Sequence, residues 1–106
     1  MNKQNILIAE DDADIRGLLK LYLESEGFAV TCADNGPDAL KLAETTSPQL
    51  AILDIMMPGL NGLELTQKLR ERTAMPIMIL SARDRDQDKI LGLNIGADDY
   101  MTKPFN

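Results

Sequence analysis

The sequence has one cysteine and no histidine, so an internal disulfide is excluded, and no histidine or cysteine stands near the acidic residues to add a nitrogen or sulfur ligand to a metal site there. Basic residues are in deficit. Lys+Arg number 11 against Asp+Glu 17, a formal net charge of −6, and such a surface offers no footprint to a nucleic-acid backbone. Contact with DNA would need another domain. The N-terminus lacks a basic flank followed by a long apolar stretch, which argues against secretion and membrane insertion and makes a cytoplasmic protein with no membrane partner the expectation. Internal repeats, low-complexity segments and linkers are missing as well. At 106 residues the chain fits one domain that buries roughly two thirds of its unfolded surface.

What is present alternates. Apolar, β-rich runs begin near Ile6, Ala29, Leu50, Ile77 and Tyr100, with helix-length stretches between them. In the first such stretch Ile15, Leu18, Leu19, Tyr22 and Leu23 follow the spacing of a helix face turned toward a sheet, and Gly27 supplies the stop. The second begins around Pro37, suited to a first helical turn, with Ala39, Leu40 and Ala43 inward. A third runs from about Gly62 with Leu65 and Leu69 on its inner face, and a fourth carries Ile90 and Leu93 and ends at Gly96. Strand and helix in alternation predict an α/β fold: a five-stranded parallel sheet with right-handed crossovers and helices on both faces. Ile6-Leu7-Ile8, Leu50-Ala51-Ile52-Leu53 and Ile77-Met78-Ile79-Leu80 are apolar throughout and belong in the sheet centre, whereas Ala29–Ala33 is weaker and fits an edge. The doubly wound, flavodoxin-like order 2-1-3-4-5 sets strands one and three side by side at the switch point.

That order has a chemical consequence. Glu10-Asp11-Asp12 closes the first run, Asp54 closes the third, and Lys103-Pro104 follows the last. Glu10, Asp11 and Asp54 would therefore share one crevice, where their mutual repulsion costs stability unless a cation enters. Oxygen ligands favour a hard ion, and Mg²⁺ commonly takes one or two carboxylates and shares its remaining positions with waters and a phosphate. An aspartate so placed can act as nucleophile toward a phosphoryl donor, with a lysine ammonium and the metal neutralising the transferred oxygens. Asp54 has the position for that role. Taken singly the other residues have plainer readings: Asp12 as a helix cap, Ser81 as a turn residue, Lys103 as a solvated charge, Tyr100 as a core ring, and Cys32 and Met56-Met57 as packing residues.

Taken together, Glu10-Asp11, the run Leu53-Asp54-Ile55-Met56-Met57-Pro58-Gly59, Ser81-Ala82 and Lys103-Pro104-Phe105 resemble a response-regulator receiver domain over the whole chain. The resemblance implies that Asp54 is the phosphoacceptor, with Asp11 a direct Mg²⁺ ligand, Glu10 a ligand through water, and the Met56 backbone carbonyl a further ligand. It implies that Ser81 binds the phosphoryl group, that Lys103 pairs with it across a cis Lys103-Pro104 bond, and that Tyr100 is the switch aromatic. Gly96-Ala97-Asp98-Asp99-Tyr100, with Lys89 upstream, resembles the regulators whose output is a winged-helix DNA-binding domain. Lys89, Asp98 and Asp99 would then lie on the face of a homodimer formed on phosphorylation. The implied donor is a sensor histidine kinase, and the implied function is a signalling switch that acts only on its own phosphorylation and dephosphorylation. Residues 1–106 would form one C-terminally truncated receiver unit lacking a fifth helix, with transcription controlled through an absent DNA-binding domain.

Three rival readings fail on particular positions. A dehalogenase-like phosphatase needs a second aspartate where Met56 stands. A flavin-binding domain needs a phosphate loop where Glu10-Asp11-Asp12 would repel phosphate. An EF-hand starting at Asp12 would put Arg16 and Leu23 at ligand positions.

Overall fold

The computed structural model describes residues 4–55, 57, 59–81 and 99–102. Among the described residues five strands and three helices follow in chain order: β1 (Asn5–Ala9), α1 (Ala13–Ser25), β2 (Ala29–Ala33), α2 (Gly36–Thr46), β3 (Leu50–Asp54), α3 (Gly62–Arg70), β4 (Ile77–Ser81) and β5 (Asp99–Thr102). The strands form one sheet in the order β2-β1-β3-β4-β5, and every pairing is parallel. β1 and β3 are therefore neighbours although a helix, a strand and a second helix separate them in the chain. The expected fourth helix, with Ile90, Leu93 and Gly96, lies outside the described residues. No helix among the described residues is long and apolar enough to cross a membrane.

Alternate strand residues feed two cores, as the two-residue period of a strand requires. Leu7, Ala9, Ala51, Leu53, Ile77 and Ile79 face α2 and α3, where they meet Ala39, Leu65 and Leu69. Ile6, Ile8, Ile52 and Leu80 point the other way and pack with Leu19 and Leu23 of α1. This double burial is why the three central strands carry unbroken apolar runs. β2, at the edge, is only half-buried over Ala29–Cys32.

Helix boundaries follow from local chemistry. The Asp12 side chain accepts from the amides of Asp14 at 2.9 Å and Ile15 at 3.2 Å, which caps α1. Asn35 accepts from Asp38 N at 2.9 Å and Asn61 from Glu64 N at 2.9 Å, capping α2 and α3. Gly27, with φ of 96°, makes the left-handed turn that ends α1.

The first helix departs from its expected face. Only Ile15, Leu19 and Leu23 are partly covered, whereas Leu18 and Tyr22 are 60% and 62% exposed and Leu21 is exposed too. The cause is packing: the helix lies mainly along the edge strand β2, so a narrow stripe suffices and the flanking apolar residues remain in solvent.

Leu65→Ala should accordingly lower unfolding free energy by about 2–5 kcal/mol, while Leu18→Ala should stay within about 0.5 kcal/mol of the parent in urea denaturation. Equal losses would contradict this division of the apolar residues. Cys32 is half-buried, and desolvation pushes its thiol up, against the opposing pull of Lys20 and Arg16. Alkylation by iodoacetamide at pH 8 should therefore be slower in the folded chain than in urea, as read by mass spectrometry.

Candidate functional site

The acids converge because two adjacent parallel strands end at the same level. Ala9 of β1 is in register with Leu53 of β3, so the next residues, Glu10 and Asp54, emerge side by side. Glu10 N still donates to Ala33 O at 3.0 Å, and Ile55 N donates to Leu80 O at 3.0 Å, which carries the ladder just past the strand ends. Glu10, Asp11 and Asp54 each present a carboxylate oxygen, all within 4.8 Å of one another. Glu10 and Asp54 are buried and Asp11 is exposed, so the cluster has a closed floor and an open mouth.

Three features of the surroundings bear on what the cluster can hold. The amino ends of α1, α2 and α3 all follow the carboxyl ends of strands, so three helix dipoles bring positive potential to this edge of the sheet. The Arg16 guanidinium donates to Glu10 O at 2.7 Å, tying the acidic turn to the first turn of α1. Within that turn Asp12 N lies 3.4 Å from Glu10 Oε2. A set of carboxylates without nitrogen or sulfur donors fits a hard divalent cation, and the geometry accommodates one. A separate open cleft of about 500 Å³, lined by Arg16, Cys32, Asp38 and Lys41 among others, lies on the β2 side and does not include the acids.

The other expected residues divide into placed and undescribed. Ser81 closes β4, one step past Leu80, whose register partner is Asp54; its backbone thus ends beside the acid cluster. Asp99 opens β5 opposite Met78, and Tyr100 follows opposite Ile79. Met56, Lys89, Asp98 and Lys103 lie outside the described residues. Asp12 is a helix cap, and the unbroken α1 helix behind it leaves no EF-hand loop.

Two contributors were not foreseen. Arg16 touches the acidic turn through a main-chain oxygen, a contact that no spacing signals. Gly62 lets α3 approach the end of β3 so closely that a Cβ there would overlap Asp54 O and lie 2.7 Å from its carbonyl carbon. The glycine was legible only as a helix start.

Comparison with known proteins agrees with this geometry. The family model described as response regulator receiver domain matches residues 6–106. The chain is 50% identical over 107 residues to the alkaline phosphatase synthesis transcriptional regulatory protein PhoP of Bacillus subtilis, a match that covers 100% of this chain and 44% of that protein. It therefore spans less than half the length of this curated relative. Among solved structures, the BeF3-activated N-terminal receiver domain of Klebsiella pneumoniae RstA superposes with a TM-score of 0.93 at 34% identity, over 97% of this chain and 88% of that one. A two-component response regulator from Clostridium difficile gives 0.95 at 33% identity, over 98% and 86%. With the acids gathered at the β1–β3 switch point and the family matched along nearly its whole length, the chain belongs to the response-regulator receiver domains: it is the receiver of a two-component regulator, a signalling switch and not a conventional enzyme.

Proposed function

We propose that Asp54 is the phosphoacceptor, taking its phosphoryl group from a phosphohistidine of a sensor histidine kinase. The observation that carries this reading is the gathering of Glu10, Asp11 and Asp54 within 4.8 Å at the switch point, with Asp54 buried at the end of a central strand. Held there, the carboxylate has few rotamers and a fixed approach. In the transfer, an Asp54 oxygen forms a bond to phosphorus as the donor's P–N bond breaks, and the departing imidazole keeps the electron pair.

Mg²⁺ is the ion that suits the donor set. Asp11 and Asp54 would bind it directly, Glu10 through water, and the Met56 carbonyl would add a further oxygen. When bound, it supplies positive charge against the phosphoryl oxygens. Ser81 binds the phosphoryl group, Lys103 pairs with it, and Tyr100 responds to the engagement of Ser81 as the switch. The beryllofluoride-activated state of the Klebsiella relative supports a site built for a tetrahedral anion of this kind.

The partners follow from the same reading. The exposed Leu18, Leu21 and Tyr22 stand on the helix whose N-terminus adjoins the site, and offer the kinase an apolar surface to bury. Lys89, Asp98 and Asp99 form the face of a homodimer that assembles on phosphorylation. Residues 1–106 act as one receiver unit in the cytoplasm. The Bacillus relative is a transcriptional regulatory protein of which this chain matches 44%, which supports an output in transcription through a winged-helix DNA-binding domain outside these residues.

Intact-mass measurement after incubation with acetyl phosphate and Mg²⁺ should show one phosphoryl adduct, lost in Asp54→Ala. An adduct retained by the variant would move the acceptor elsewhere. Millimolar Mg²⁺ should raise the melting temperature, and Asp11→Ala should abolish the rise. In metal-free buffer Asp54→Asn should melt above the parent, because one of the mutually repelling charges is gone. An equal Mg²⁺ response in Asp11→Ala would remove that acid from the ligand set.

A further inference from the structure

We infer that the opening turn of α2, Gly36-Pro37, is a positioning element for the phosphorylation site, acting through the β3–α3 connection although α2 contributes no side chain to the acid cluster. The inference rests on Asp54 being the acceptor. Three close approaches carry it. A Cβ at Gly36 would overlap Leu60 O and sit 2.7 Å from the Leu60 carbonyl carbon, so the first residue of α2 abuts the main chain of the connection. The Pro37 ring lies alongside Gly59: a Cβ there would be 3.2 Å from Pro37 Cδ, and Gly59 itself has φ of 75°, a conformation that favours glycine. At the far end, Gly62 N donates to Ile55 O at 3.1 Å, and a Cβ at Gly62 would lie 3.0 Å from Ile55 Cα as well as overlapping Asp54 O.

The connection is thus held between two helix starts with no slack at either. Neither wall can yield easily. Ala39, in the same first turns of α2, is fully buried against the sheet core, and on the opposite side Leu65 of α3 is fully buried too. Ile55 and Met57 are buried in that same core and Leu60 packs against it, so the connection cannot swing outward without exposing them. A displacement imposed at Leu60 by α2 is therefore passed through Asn61 to Gly62, which abuts Asp54 O and bonds Ile55 O, and so to Ile55 and Asp54. Placement of a reacting group tolerates only about 0.5 Å before function declines, so the opening turn of α2 sets whether the carboxylate of Asp54 meets those of Glu10 and Asp11.

Gly36→Ala in the full chain tests this, with Leu42→Ala as the control that loosens α2 packing without touching the connection. Mg²⁺ affinity is read from melting-temperature titrations and ¹⁵N amide shifts, and labelling from acetyl phosphate by intact mass at saturating Mg²⁺. Gly36→Ala should weaken Mg²⁺ binding and slow labelling by on the order of tenfold, with amide shifts reaching Ile55 and Gly62, whereas Leu42→Ala lowers melting temperature but changes Mg²⁺ affinity little. Parent-like binding and labelling in Gly36→Ala, or losses no greater than in Leu42→Ala, would overturn the inference. Should Gly36→Ala not fold, Pro37→Ala decides: removing the ring from Gly59 without adding bulk should shift the amides of Gly59, Leu60 and Ile55 and weaken Mg²⁺ binding about threefold, and shifts confined to α2 with unchanged affinity overturn it. A parent chain that takes no phosphoryl group on Asp54 fails the acceptor reading instead, which separates the two.

Discussion

Parallel pairing of β1 with β3 is the constraint on which the molecule depends. Ile6 to Ala9 lie opposite Leu50 to Leu53, and that register makes the two strands end together. The connection after β1 leads back to β2 on one side, while β3 leads to β4 on the other, so the two loops diverge and leave a crevice between them. A slip of one residue would turn Leu7 and Leu53 toward the wrong core and carry an acid into apolar packing. Register is therefore enforced by hydrophobic burial along the two strands, and the site inherits its alignment from the core.

The crevice concentrates like charge, which a fold judged only by stability would avoid. Its surroundings moderate the cost. Three helices begin at this edge, capped by Asp12, Asn35 and Asn61, so main-chain dipoles bring positive potential to the region of the acids. Arg16 donates to Glu10 O, a main-chain oxygen, which fixes the acidic turn against the first turn of α1.

Close main-chain approach is the second determinant. Gly36 and Gly62 allow two helices to press on the main chain at Leu60 and at Asp54 and Ile55, and side chains at either position would have to displace carbonyl groups. A loop that follows an acid in such a crevice needs this restraint, because the acid's backbone is only as well placed as the chain that leaves it. Met57, a core residue by burial, anchors the same segment, in agreement with its plain reading as packing.

Much of this was legible in the order of the residues. Unbroken apolar runs located the central strands, because burial on both faces demands apolar side chains at every position, and the weaker run Ala29–Ala33, with its Thr31, located the edge. Acids at the ends of the first and third runs pointed to the site once topology made those strands neighbours. Other features could not be read there. The exposure of Leu18 and Tyr22 was hidden because helical spacing shows which residues share a face and not how much of it a neighbour covers. The Arg16 bond escaped notice because it ends on a backbone oxygen that every residue possesses. Gly62 looked like an ordinary helix start and Gly36 carried no signal at all, since closeness between segments distant in the chain exists only after they pack. Pattern along the chain thus determined which elements form and which acids they carry; the distances among those acids, and the pressure of two helices on the loop beside Asp54, arose only when the sheet and helices closed around one another.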